Sequence, residues 1–431
     1  MATPAARVKA MEIACVFSVD DYKAYAQLGP VIDGELAMGF KYSGSYCGRN
    51  IEKIYQKAVQ HGRAPSLFEA VTTLQKASHV LIITGFFVLH QKGAEGPHGD
   101  LGGCETDGPL GALAVLRALC ARGVRASLFC DVHNGPVIKK AYDSMMEHFR
   151  EADEGFWSRL QSHSRCLPFV SAEKPLPEAA KAEVGDKEMS TLEERSWCLS
   201  ARLGDALRDA WGDNAGRVDA LLSLERLGAP YRNIRGRDIG QHTEPIDCLY
   251  PLVECGINEE CRAALAEMPT APFRRLAHVA EDAKTLGVGD GGNEVGMGRV
   301  VSVPGCSELR PDGAAFAPLA SNGCVRSCDN AVLGTVSNWA GSAIEAACHV
   351  LWPAQVDYVP KMRSIGSSVE ENLLRAIMAK PTVAVDGSHN DRAMSVDGMN
   401  FEPHHRELYD YLWHLAGVTA AATAKRPRIE V

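Results

Sequence analysis

The stretch HVLIITGF, residues 79 to 86, is a continuous aliphatic and β-branched run broken only at Gly85. A strand with one wet face alternates apolar and polar residues. An unbroken run marks a strand covered on both faces. The run has counterparts along the chain: VRASLFCD (124 to 131), VDALLSLERL (218 to 227), AKTLGVGD (283 to 290), NAVLGTVS (330 to 337) and TVAVDG (382 to 387). Stretches with helical apolar spacing lie between most of them, at 50–76, 110–123, 136–151, 248–266, 339–351 and 369–378. Buried strands alternating with helices predict an α/β fold. Its expected form is a mainly parallel sheet flanked by helices on both faces, a three-layer α/β/α arrangement of the Rossmann-like kind.

Around this pattern the chain divides unevenly. Residues 1–45 are mixed and show no clear element. Residues 46–415 read as a single α/β catalytic domain, and 416–431 as a tail. SAEKPLPEAAKAEVGDKEMS, residues 171–190, is polar, charged and proline-containing, and predicts a surface insertion. Residues 306–323, with Pro311 and Pro318, predict a second long loop.

Composition removes several function classes. A net charge of −9, with no Lys/Arg stripe in the body of the chain, does not suggest a nucleic-acid partner. No segment approaches the ~18 to 20 apolar residues of a membrane span. The 14 cysteines include no CxxC pair and several sit inside apolar runs, which fits thiols in a reducing compartment. The expected location is intracellular, either mitochondrial or cytoplasmic. The acid-free start MATPAARVKAM, with Arg7 and Lys9, gives a faint hint of a mitochondrial targeting segment. A homo-oligomer stays open.

The polar residues gather at strand ends. The first strand runs into Thr84-Gly85, and its loop leads to ETDGP, with Glu105, Thr106 and Asp107. The second ends at Asp131, near His133. The third ends in Glu225-Arg226, followed by NIRGRD with Asn233 and Arg235. The last two end in Ser337-Asn338 and in Asp386. Parallel strands would bring all of these to one edge, where α/β proteins bind ligands. Each group also has a plainer reading. Asp107 and Ser337-Asn338 suit helix caps, and Glu225 and Arg226 suit a surface ion pair. No His/Cys spacing matches a zinc site, and there is no GxSxG nucleophile elbow.

The fourth strand ends in GVGDGGNEVGMG, residues 287–298, six glycines in twelve residues. Gly287, Gly289 and Gly292 satisfy the GxGxxG pattern of a dinucleotide cradle, which also needs a helix opening directly after it. Here more glycine and β-branched residues follow, and Asp290 and Glu294 sit where they would repel a phosphate. Carboxylates on a glycine loop suit a cation instead, either an ammonium group or a divalent metal such as Mg²⁺ or Mn²⁺. Two alternatives remain. One is a nucleotide- or NAD-dependent enzyme with Glu308 or Asp312 on the ribose. The other is a non-catalytic amino-acid or metal-binding protein.

Taken together, TGF (84–86), ETDGPLGA (105–112), SLERLG (223–228), NIRGRDI (233–239), TLGVGDGGNEVGMG (285–298), VSNW (336–339), and DG with SVDG (386–387 and 395–398) resemble the D-glutamate cyclase family in its C-terminal domain. The motifs fall in the family's order over roughly residues 50 to 400. The family usually reads ERPG where this chain has Glu225-Arg226-Leu227-Gly228. Vertebrate members also carry a hydratase-like N-terminal region outside the resemblance. The resemblance implies a lyase that converts D-glutamate to 5-oxo-D-proline and water. On it, Asp290 and Glu294 would face the ammonium or a metal, and Glu105 or Asp107 would share the acid–base work. Arg235 and Arg226 would take a substrate carboxylate, and the N–H groups of Gly291 and Gly292 an oxyanion. Thr84, Gly85, Thr106, Asn233, Asn293, Ser337, Asn338 and Asp386 would complete the substrate site.

Overall fold

The computed structural model describes residues 3–17, 51–89, 102–172, 190–212, 216–253, 273–309, 318–352, 366–380, 384–387 and 394–417. Six parallel strands form the central sheet among them: β1 (His79–Thr84), β2 (Arg125–Phe129), β3 (Ser164–Cys166), β4 (Val218–Leu224), β5 (Val279–Gly289) and β6 (Asn330–Leu333). Their spatial order is β3-β2-β1-β4-β5-β6. The chain builds outward from β1 in one direction, then returns to build outward in the other. The strand order therefore reverses between β1 and β4. In doubly wound sheets the crevice at that reversal, beyond the carboxyl ends, is where ligands sit. The three-layer α/β/α expectation holds.

The unbroken apolar runs have the predicted cause. In β1, Val80 and Ile82 pack into the core on one face, and Leu81 and Ile83 into the core on the other. The same alternation places Leu222, Val288 and Val332 on the first side, and Leu221 and Leu333 on the second. The first face carries helices α1 (Pro4–Val16), α3 (Leu67–Lys76), α4 (Pro109–Ala121), α5 (Gly135–Ala152), α6 (Glu154–His163), α8 (Ser337–Leu351), α9 (Gly366–Met378) and α10 (Arg406–Leu415). The second carries α2 (Ile51–Gln60) and α7 (Thr191–Trp211). Local signals set several helix starts. Ser66 and Ser190 each accept from the N–H three residues on, at 3.2 Å, with glutamate at that position in both.

Several expectations need correction. The span 50–76 is two helices, α2 and α3, parted by a turn with Gly62 at φ 68° and by Pro65. The segment 382–387 adds no strand to the sheet over its described residues; Val385 makes a single parallel bridge to Glu105. The outer place is taken by β3, only three residues long. The start of 248–266 is a 3₁₀ turn, Ile246–Leu249, not a helix, and 254–272 lie outside the described residues. So do 173–189 of the expected insertion, 310–317 of the second loop and 418–431 of the tail.

Within the unassigned N-terminal stretch, residues 4–16 are α1, with Val8, Met11 and Cys15 buried. Buried Glu12 accepts the Leu67 N–H at the start of α3 at 2.7 Å. The described cysteines are free thiols, all buried but Cys166. Among the described residues no helix is long and apolar enough to cross a membrane.

Candidate active site

The register aligns the strand ends. Thr84 pairs with Leu224, and Leu224 with Val288. Gly85, Glu225 and the glycine loop therefore emerge side by side at the reversal between β1 and β4. Three further pieces close in: the turn before α4, the first turn of α8, and the segment around Asp386 and Asp397.

The first turns of α4 and α8 cap each other. Asp107 accepts the N–H groups of Ser337 at 2.8 Å and Asn338 at 2.7 Å, at the start of α8, whose own N-cap is Val336. Asn338 returns the service. Its Oδ1 accepts from Gly108 at 3.0 Å and Gly111 at 2.8 Å, and its Nδ2 donates to the Thr106 carbonyl at 3.0 Å. Helix N-termini carry unpaired N–H groups and a positive dipole end, so both caps stabilise. The two helices touch backbone to backbone. A Cβ on Gly341 would lie 2.5 Å from Gly111 Cα.

The glycine loop is docked and closed on itself. Glu294 Oε1 accepts the Gly291 N–H and Oε2 the Gly292 N–H, both at 2.8 Å. The loop then runs antiparallel to the end of β4: Val295 donates to Arg226 O at 2.7 Å and Gly228 to Asn293 O at 3.0 Å. Gly292 sits at φ 89°, which an L side chain rarely adopts. The two amides assigned to an oxyanion are thus engaged with Glu294 in this structure. The same amides would be needed for a phosphate cradle. Glu308, one of the two ribose candidates, is exposed, and Asp312 lies outside the described residues.

Arg226, expected on a substrate carboxylate, is engaged by the protein itself. It is buried and forms an ion pair with Asp131 at 2.6 Å. It also donates to the carbonyls of Gly85 at 3.0 Å and Glu244 at 2.8 Å. It ties the ends of β1, β2 and β4 together, and it does not pair with Glu225. Burial pushes the Asp131 carboxyl up, but Arg226 and the amide donors prevail and hold it below the usual carboxylate range. Arg235 is half-buried, and its guanidinium has no hydrogen-bond or ion-pair partner among the described residues. Its turn is built by Asn233, whose Oδ1 accepts the N–H groups of Arg235 and Arg237 at 3.0 Å. Ile234, next to it, would lie 3.2 Å from a Cβ on Gly291.

What remains at the centre is acid. Asp107, Asp290 and Asp397 form one group of buried carboxylates, and Glu225, Asp290 and Glu294 a second. Within each group, one oxygen per residue lies within 4.8 Å of the others. Asp290 belongs to both. Glu225 stands at φ 44° directly after β4, and Ser337 donates to it at 2.6 Å. Asp397, at φ 54°, is held by Asp386, which accepts the Gly398 N–H at 2.8 Å and the Ser395 hydroxyl at 2.6 Å.

Burial, then Asp290, Glu294, Asp107 and Glu105, push the Glu225 carboxyl well above the ordinary range. Burial, then Asp397, Asp290 and Glu105, do the same to Asp107, against the pull of the Asn338 N–H. Buried among other acids, Glu225 and Asp107 hold protons or need positive charge beside them. An all-oxygen carboxylate set suits Mg²⁺, Mn²⁺ or an ammonium group.

The structure therefore brings together Asp107, Asp290 and Glu294. Thr84 adjoins them through Gly108, where a Cβ would meet its Oγ1 and the Glu225 Cβ, each at 2.9 Å. Glu105 sits at their edge against Gly387, 6% exposed. Sequence reasoning left Glu225 and Asp397 out of the site. Glu225 occupied the same strand-end position as the chosen residues. Asp397 lay within the quoted SVDG.

A doubly wound α/β fold with a cluster of buried carboxylates at its topological reversal defines the class. The chain belongs to the D-glutamate cyclase-like family by its C-terminal domain, which matches residues 51–257 and 261–412. It is similar to the human mitochondrial D-glutamate cyclase, with 25% identity over 365 residues, covering 80% of this chain and 47% of that protein. The chain thus spans about half the length of that curated relative.

Proposed function

We propose that this protein is a lyase of the D-glutamate cyclase type, closing D-glutamate to 5-oxo-D-proline with release of water. The observation that supports this most is the acid chamber built from the family's own motifs. It suits a substrate whose reacting group enters as an ammonium. In the reaction the α-nitrogen bonds to the γ-carboxyl carbon and one γ-carboxyl oxygen departs. The nitrogen gives up two protons, and both leave on that oxygen as water.

Asp290, with Glu294 and Glu225 beside it, holds positive charge. Asp107 is engaged in capping α8, which leaves Glu105, at the chamber's edge, as the carboxylate that carries protons from nitrogen to oxygen. Arg235 takes a substrate carboxylate through its planar fork. Thr84, Thr106, Asn293 and Ser337 orient the substrate, and Asp386 acts by holding the turn of Asp397. The human relative's name places it in mitochondria, and free thiols in this chain fit that compartment or the cytoplasm. Incubation of purified protein with D- or L-glutamate, followed by chiral chromatography, tests the reading. Conversion of the D form alone is expected; equal conversion of L-glutamate, or none of either, counts against it.

A further inference from the structure

The chamber holds more carboxylates than one ammonium can balance. Asp107, Glu225, Asp290, Glu294 and Asp397 are each at most 3% exposed. Every charged neighbour that bears most on Glu225 is another acid. The arginine at this edge, Arg226, is turned to Asp131. A dicarboxylate substrate would bring two more negative charges into this space.

A second observation points the same way. Asn293 is 1% exposed, and its Nδ2 donates to Arg232 O at 3.0 Å, which fixes the amide's orientation. Its Oδ1 is buried without a donor among the described residues. That oxygen and Glu294 Oε1 lie 2.8 and 3.0 Å from one point, the position of a Cβ on Gly291. The hydroxyl of Thr84, fully buried, likewise has no partner among the described residues. Unpaired buried oxygens beside carboxylates need a cation or a donor between them.

We propose that the chamber binds two divalent cations, Mg²⁺ or Mn²⁺, bridged by Asp290. Asp107 and Asp397 complete one seat, and Glu225 and Glu294 the other. The assignment follows from the two overlapping carboxylate groups, which share Asp290 alone. Oxygens around one Mg²⁺ span about 4.2 Å across the ion, so groups within 4.8 Å reach one with small shifts. Asn293 Oδ1 lies beside the second seat. Two cations would supply four positive charges against the five carboxylates and let an anionic substrate enter. This last point rests on the proposed cyclase reading; the metal measurement does not.

The test uses the full chain, freed of metal by chelation and titrated with Mn²⁺. Bound metal is counted by elemental analysis, and the spectrum is read by electron paramagnetic resonance. Two Mn²⁺ per chain with an exchange-coupled spectrum are expected. Asp397→Asn is expected to leave one Mn²⁺ and an uncoupled signal. No binding at millimolar Mn²⁺, a single ion, or two uncoupled ions in the wild type would each overturn the proposal, whether or not the variant folds. Two coupled ions in a protein that leaves D-glutamate unchanged would keep the site and remove the cyclase reading.

Discussion

Two acids of the site, on different loops, carry different burdens, and substitutions separate them. Glu294 holds the Gly291 and Gly292 amides, both at 2.8 Å. Glu294→Gln turns an amide NH₂ against one of those N–H groups and leaves it unsatisfied. We expect a loss of about 1–3 kcal/mol in unfolding free energy by denaturant titration, with activity falling as a consequence. Glu105 sits at the chamber's edge and caps no helix. Glu105→Gln is expected to lower kcat at least about a hundredfold while leaving the thermal melt and Mn²⁺ stoichiometry as in the wild type. Near-normal turnover in that variant would remove Glu105 from the proton path. Asp290 lay in full view inside a recognisable loop. The amide contacts of Glu294 were not legible, because they depend on a loop that folds back on β4.

At the scale of elements, the crossing of α4 and α8 organises the site. Asp107 and Asn338 cap each other's helices, and both depend on the close approach of Gly111 and Gly341. Gly341→Ala forces a methyl to within 2.5 Å of the Gly111 backbone. It is expected to destabilise by at least about 1–3 kcal/mol. Gly155→Ala, exposed in α6 with only ordinary contact at 3.5 Å, serves as the control and is expected to stabilise by about 0.5–1 kcal/mol. Equal effects in the two variants would contradict the close-packing account.

The strands of the sheet were legible where the run was long, as in β1 and β4, since burial on both faces leaves an unmistakable apolar stretch. β3 has three residues and no such run. The run at 382–387 misled for the converse reason. Its described residues, 384–387, lie on the segment before α4, with Val385 O accepting from Thr106 N–H at 2.9 Å, and add no strand to the sheet. The pairing of α4 with α8 could not be read locally, for it joins residues more than two hundred positions apart.

For the whole molecule, a buried ionic tie links the helices of the first face. Arg117 of α4 contacts Glu345 of α8 at 2.8 Å and also Glu370 of α9. One guanidinium faces two carboxylates. Burial pushes the Glu370 carboxyl up to about 7, with Arg117 opposing and Glu345 adding to the rise. The folded state thus prefers protonated Glu370. Its contribution is complete below about pH 4.5 and is lost as pH rises through about 7, by up to roughly 3 kcal/mol. Glu370→Gln, always neutral, is expected to melt close to the wild type at pH 5 and above it at pH 8. The same difference at both pH values would count against the tie.

The central claim is the chemistry of the chamber as a whole. D-glutamate carrying two ¹⁸O atoms in its γ-carboxyl, followed at initial rate by mass spectrometry, tests it most directly. The expected product is 5-oxo-D-proline retaining a single ¹⁸O in its ring carbonyl, with the second ¹⁸O released as water. No such product above the level formed without protein is the opposite outcome.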